Sequence, residues 1–312
     1  AAAVAMGFTG FEIGTDIGGS IRVPSSFCGV YGHKPSFGII PTYGYLDNPT
    51  SHRNVADINV FGPIARCVDD LELLLGLLAG PSPDDAPGWR LDLPAPRAIE
   101  LGSFRVAAWL DDDFAPVDPA VRDVMSAAVD ALEHAGARID HERRPDIDPR
   151  RAAREGLTLI SAATAISDSD DENSAASAGG RGLDHRDWDV LHRRRGETRQ
   201  RWSEFFADVD VLLCPVTVVP PFRHVQAPEG PNWAYATLAD HDDRHYSDLI
   251  GWSALIGSAY LPVTVPPIGR TSDSLPVCIQ VVAPYLHDHT SLAFARCMAE
   301  VLGGYEPPPA AS

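Results

Sequence analysis

The residues with the clearest chemical potential lie near the start of the chain, in Gly14-Thr15-Asp16-Ile17-Gly18-Gly19-Ser20-Ile21-Arg22-Val23-Pro24. A Gly-Gly-Ser turn lets the backbone approach another group closely, because glycine has no side chain to block it. Successive N–H groups from Ile17 through Ser20 would then point into one concavity that suits an oxyanion. Ser20, at the end of the turn, would sit beside that hole, where an acyl-transfer nucleophile belongs. Asp16 and Arg22 flank the turn and are expected to pair and hold its shape. Residue types alone leave open a plain Gly-rich turn leading into a strand, since such turns are common.

Other constellations are weaker. His241 and His245, in His-Asp-Asp-Arg-His, have metal-ligand spacing if they sit on a helix, but no third ligand is evident and a solvated polar face is the simpler reading. His134 and His141 read as a satisfied surface pair. Trp233, Tyr235, Tyr246 and Trp252 would line an acyl pocket or pack in the core, and the sequence does not separate the two. There is no Gly-x-Ser-x-Gly elbow, His-Glu-x-x-His pair or Walker loop. The five cysteines, Cys28, Cys67, Cys214, Cys278 and Cys297, are odd in number and scattered. That pattern fits a reducing, cytoplasmic compartment and argues against a disulfide or zinc framework. No metal and no cofactor is expected.

The elements that must position these residues follow from hydrophobic spacing and from turn and cap residues. The 312 residues are 45% hydrophobic and carry 43 acids against 25 basic residues, for a formal net charge of -18. This is a globular composition, and the charge argues against nucleic acid as a partner. Arg193, Arg194 and Arg195 are diluted by acids and read as a solvated helix face. No apolar run is long enough to cross a membrane as a helix. The spacing predicts the end of an Ala-rich helix over Ala1–Met6 and a helix over Val68–Leu78. A third is expected from the Asp118-Pro119 cap to Ala135, where Gly136 stops it. Further helices are expected over Asp184–Ala207, Tyr246–Ser258 and Thr290–Leu302. Strands are expected over Phe104–Leu110, Arg138–Glu142, Val209–Val216, Pro262–Pro266 and Val277–Val282. Residues 81–100 and the acidic, Ser- and Gly-rich 167–182 read as loop insertions. The alternation predicts an α/β fold with a mixed, mainly parallel sheet covered by helices on both faces.

Thr15 through Pro24, followed by Phe27-Cys28-Gly29 and Gly32-His33-Lys34-Pro35, resembles the signature of the amidase signature family of serine hydrolases. The likeness continues through Gly62-Pro63-Ile64-Ala65-Arg66 and Val68-Asp69-Asp70-Leu71. It returns at Leu261-Pro262, Val265-Pro266, Leu275-Pro276-Val277 and Ile279-Gln280. It is close over the first 80 residues, moderate over 255–302, and limited to element order in between. The resemblance implies a Ser, cis-Ser and Lys triad with Ser20 as the acylated nucleophile. It implies Ile17, Gly18 and Gly19 as oxyanion-hole donors with the N–H of Ser20, and Asp16 and Arg22 as supporting residues. It also implies a small-molecule amide as substrate, hydrolysed to acid and ammonia or amine, with a homodimer as the candidate assembly.

The sequence departs from that pattern in one respect that matters. Its only lysine is Lys34, in the His-Lys-Pro segment after the nucleophile loop, whereas the family's base lies well before that loop. Ser25 and Ser26 match no triad position. The chain is therefore expected to be a single amidase domain lacking its N-terminal part, inactive alone and with apolar surface exposed. An amidotransferase A-type glutaminase subunit is the alternative, although Gly257-Ser258-Ala259-Tyr260-Leu261-Pro262 replaces the family's Asn-x-x-Gly-Leu-Pro. A non-catalytic remnant is a third reading.

Overall fold

Strands that alternate inward and outward residues need cover on both faces, and helices provide it here. A computed structural model describes residues 1–42, 57–165, 183–224, 237–238 and 241–309. The short helix α1 (Ala2–Ala5) precedes β1 (Phe11–Asp16), α2 (Arg22–Cys28), β2 (Tyr31–Lys34), β3 (Val60–Ala65) and α3 (Val68–Leu78). Then come β4 (Arg105–Ala108), α4 (Pro119–His134), β5 (Arg138–Asp140), α5 (Pro149–Ala165), α6 (His185–Asp208) and β6 (Val211–Pro215). A two-stranded ribbon, β7 (Thr237–Leu238) with β8 (His241–His245), leads through a 3-10 turn, Tyr246–Ile250, into α7 (Gly251–Gly257). The chain closes with β9 (Val263–Val265), β10 (Pro267–Arg270), β11 (Pro276–Val282) and α8 (Asp288–Leu302).

The main sheet runs β1-β3-β2-β9-β11-β6-β4-β5, with β10 added beside β11. Period-two alternation divides its side chains between two cores. Val211 and Leu213 of β6 join Val277, Ile279 and Val281 of β11 under α4 and α8. Leu212 and Cys214 join Cys278 and Val282 on the opposite face, against Trp202, Phe205 and Phe206 of α6 and Trp252 and Leu255 of α7. The apolar stripe of α4, with Val121, Met125, Ala128, Val129 and Leu132 buried, keeps helical spacing.

The mixed α/β sheet with helices on both faces is as the alternation implied. The balance of directions is not. Only β4–β5 and β4–β6 pair parallel, and the other pairs in the sheet are antiparallel. The reason lies in the connections. β4, β5 and β6 are joined by helical crossovers, through α4 and then through α5 and α6, and lie side by side in parallel, whereas the neighbours of β3 and β11 run against them and short links join β9, β10 and β11.

Local signals account for most element ends. The Asp118 carboxylate accepts from the Ala120 N–H, Pro119 fills the first helical position, and Gly136 has φ 103°. The stretch after Ser20 is a helix and not a strand. Pro24 falls in its first turn, where a missing N–H costs nothing, and Gly29 closes it at φ 64°. Helix α5 was not legible in the sequence, because its inner face is built largely from Ala152, Ala153 and Gly156 before Leu159 and Ile160. Phe8, Phe11 and Ile13 are exposed on and beside the edge strand β1.

Candidate active site

The Gly-rich segment bridges the end of β1 and the start of α2, so one edge strand and one short helix fix its two ends. Asp16 is the last residue of β1, and its side chain turns back under the loop. One carboxylate oxygen accepts from Gly19 N at 2.9 Å, and the other from Ile21 N at 3.2 Å and Arg22 N at 3.4 Å. The Arg22 guanidinium completes the cage through Nε at 3.0 Å and Nη2 at 2.8 Å. Both side chains are fully shielded from solvent. Burial pushes the Asp16 carboxyl up, but Arg22, Lys34 and the Ile21 N–H outweigh it and hold the acid below the usual carboxylate range. The expected Asp16–Arg22 pair is formed.

Arg22 also ties the loop to the sheet and to α7. Its Nη1 donates to Ser253 O and to Gln280 Oε1, each at 3.0 Å, and Gln280 Nε2 donates to Pro215 O at 2.6 Å. Gln280 lies between Cys278 and Val282 on the face of β11 that meets the loop, so alternation alone aims it at Arg22. A glutamine within the apolar run Pro276–Val282 is the signal that marks it in the sequence. Ser253 has no such signal. Its buried hydroxyl has no hydrogen-bond partner among the described residues. A Cβ on Gly19 would lie 3.0 Å from that hydroxyl oxygen. Gly19 has φ 121°, so glycine is required there for conformation and for space.

Ser20 is exposed at the end of the loop, and among the described residues its hydroxyl makes no hydrogen bond. Gly18 and Gly19 are buried beneath it and Ile17 is half-buried. The N–H groups of Ile17, Gly18 and Ser20 likewise donate to nothing among the described residues. The Gly19 N–H differs, because its one proton goes to Asp16. Of the four expected donors, those of Ile17, Gly18 and Ser20 are thus uncommitted among the described residues and that of Gly19 is bonded to Asp16.

Lys34 is buried, and its Nζ donates to Pro35 O at 2.8 Å. Burial first, then the positive charge of Arg22, lowers its pKa to about 7, against the partial opposition of Asp16 and Asp288. Beside it His33 lies between Thr264 and Asp288, whose carboxylate also takes the Ser36 N–H and hydroxyl. This network is wholly buried and packs β2 onto α8. Ser26 accepts from Cys278 N at 3.2 Å, and the buried Ser25 hydroxyl has no partner among the described residues.

The remaining candidates disperse. His241 and His245 lie on β8, a strand, so four residues separate them by about 13 Å and they share no ion. No cluster of three or more potential metal ligands occurs among the described residues. His134 bonds to Asp130 O and His141 to Glu133, both at the surface. Trp252 is a core residue packed on Trp109 and Phe114, Tyr246 is exposed, and Trp233 and Tyr235 lie outside the described residues. The segment 167–182 and residues 43–54 also lie outside them. Arg193 and Arg194 are solvated as expected, whereas Arg195 is buried and pairs with Asp57 at 2.8 Å. A groove of about 480 Å³ between α4 and β10 includes none of the loop residues.

Fold and site together define an α/β protein that presents an exposed serine on a Gly-rich loop locked by a buried Asp–Arg pair. The chain belongs to the Amidase family, whose model matches residues 1–292. It is 27% identical over 339 residues to the A subunit of glutamyl-tRNA(Gln) amidotransferase from Deinococcus radiodurans, covering 96% of this chain and 66% of that protein. The crystal structure of the Thermotoga maritima protein of the same name superposes with a TM-score of 0.75 at 21% identity, over 99% of this chain and 67% of that one. A bacterial aryl acylamidase of the amidase signature family gives 0.74 at 20%, over 96% and 64%. The chain thus spans about two thirds of the length of these relatives. No helix among the described residues is long and apolar enough to cross a membrane.

Proposed function

We propose that the protein hydrolyses a carboxylic amide to the acid and ammonia or an amine through an acyl-Ser20 intermediate. The observation that carries this reading is the exposed, uncommitted Ser20 hydroxyl at the end of a loop whose shape Asp16 locks. Ser20 Oγ attacks the amide carbonyl carbon, and the charge that develops on oxygen is met by the N–H groups of Ile17, Gly18 and Ser20. The C–N bond then breaks, the amine leaves with a proton, and water releases the acid. Asp16 and Arg22 support the loop and take no part in proton transfer, since each is buried and committed to the other. Lys34 is taken as a structural residue, because its amine is buried on β2, donates to Pro35 O and makes no hydrogen bond to Ser20. Among the described residues no base or relay is hydrogen-bonded to Ser20, so its activation is what the labelling experiment below reads.

The same reading takes the chain as a single amidase domain with 81–100 and 167–182 as insertions, cytoplasmic, with a homodimer as its assembly. The names of the curated relatives favour a second reading, an amidotransferase A-type glutaminase subunit. Stable co-purification with other subunits distinguishes it from a stand-alone amidase. A fluorophosphonate probe tests the central claim. It should label Ser20 in the wild-type protein, and Ser20→Ala should abolish labelling while Lys34→Ala does not. Labelling that survives Ser20→Ala overturns the assignment.

A further inference from the structure

Ile250, Ser253 and Gly257 are spaced by three and four residues, so they share one face of α7 and of the turn that leads into it. All three meet the Ser20 loop. A Cβ on Gly18 would lie 3.7 Å from Ile250 Cδ1, and one on Gly19 would lie 3.0 Å from Ser253 Oγ and 3.2 Å from Ser253 Cβ. One turn on, a Cβ on Gly257 would lie 3.2 Å from Arg22 Nη2 and 4.0 Å from Ile17 O. Val23 Cγ2 stands 3.1 Å from the same point on Gly19, so Gly19 is clamped between Val23 and Ser253.

Helix α7 is itself held near both ends. The Trp252 indole donates to Ala115 O at 3.0 Å and packs on Trp109 and Phe114. Just beyond the helix, Tyr260 is held at φ 71°, a left-handed conformation that bulky residues rarely enter and that persists only where the surroundings over-determine it. Its ring stacks on Phe37 with centroids 4.2 Å apart, and its phenol donates to Asp57 at 2.6 Å. The helix therefore sets the contact, and the loop, with two glycines in a row, is the side that can yield. Ser20 follows Gly19 directly, so a shift of Gly19 re-aims the hydroxyl, and a misplacement of about 1 Å at a reacting group costs about a hundredfold in rate.

We infer that Ser253 is a positioning residue for Ser20: its hydroxyl is the stop against which Gly19 rests, and the aim of the nucleophile depends on it. This rests on the amide-hydrolase reading and is tested apart from it. Ser253→Ala removes the oxygen and keeps the backbone carbonyl that takes Arg22 Nη1. The wild-type protein and the variant are compared by melting temperature, by hydrogen exchange over residues 17–23 and by the rate of fluorophosphonate labelling. The melting temperature should stay within about 2 °C, because the hydroxyl has no hydrogen bond to lose among the described residues. The amides of Gly19, Ile21 and Arg22, which Asp16 holds, should exchange at least about fivefold faster in Ser253→Ala. Labelling of Ser20 should slow at least about fivefold. Ser253→Thr, which keeps the oxygen, should recover about half or more of both losses. Exchange of those amides at the wild-type rate in Ser253→Ala, faster exchange spread over the whole chain, or undiminished labelling overturns the inference. A wild-type protein that resists the probe, with faster exchange in the variant confined to the loop, overturns the hydrolase reading alone.

Discussion

Replacing Arg22 with methionine keeps most of the apolar volume and removes a guanidinium that is wholly enclosed. The loss leaves Asp16 without its counter-charge and leaves Ser253 O and Gln280 Oε1 without a donor. Removing one partner of a buried ion pair costs about 3–5 kcal/mol, because the other charge stays desolvated and uncompensated. Unfolding entropy of about 2.1 cal/mol/K per residue gives roughly 0.65 kcal/mol/K for a chain of this size, so the melting temperature should fall by about 5–8 °C. The deficit should also depend on pH. In the wild type the Asp16 pKa is depressed, so its contribution is present above the unfolded value near 3.8 and is lost as pH falls through the folded value. In Arg22→Met, the guanidinium's charge and hydrogen bonds are lost while Lys34 and the backbone N–H groups remain, so the Asp16 pKa rises above its wild-type value and the variant's deficit grows as pH rises towards it. Scanning calorimetry of both proteins from pH 4.5 to 7 should therefore show a gap that widens with pH. A fall of less than 2 °C, or a gap that does not change with pH, would refute the account of how this loop is held.

Three further outcomes follow from the same geometry. Gly19→Ala places a Cβ 3.0 Å from Ser253 Oγ and 3.1 Å from Val23 Cγ2 at φ 121°. It should cost about 1–3 kcal/mol in denaturant titrations and suppress Ser20 labelling, and Ser253→Ala in the same chain should restore only part of either. Tyr260→Gly relieves strain of about 1 kcal/mol but forfeits an aromatic packing worth about 3–5, so a net loss of about 2–4 kcal/mol is expected in urea. Lys34 has a folded pKa near 7 against 10.5 in the unfolded chain, so between pH 7 and 8 the unfolded state binds more protons. Wild-type stability should then rise by about 1 kcal/mol relative to Lys34→Met across that interval, and a difference that stays flat or falls would contradict the burial of a neutral amine.

Legibility followed the range of the interaction. The Ser20 loop was readable because its requirements are local: a glycine at φ 121°, an acid and an arginine six residues apart, and a serine between them. Helices α3, α4 and α8 were readable for the same reason, through caps and helical spacing within one segment. Helix α5 escaped because alanine and glycine give a weak apolar period, although Gly156 is small for a definite purpose. A Cβ there would lie 2.9 Å from Ala254 O in α7. Strand direction escaped because it depends on which connections cross over, and the sequence of elements alone does not state that.

By itself, then, the sequence determined the α/β layering through the alternation of its elements, the residues of the Ser20 loop through local backbone chemistry, and the family through the resemblance of its motifs. Tertiary structure decided the rest. It committed the Gly19 N–H to Asp16, placed Gln280 and Ser253 against the loop from more than two hundred residues away, and buried Arg195 against Asp57 while Arg193 and Arg194 stayed at the surface. Those outcomes depend on which side chains meet across the packed sheet and helices, and contact between distant segments is settled only when the whole chain has folded.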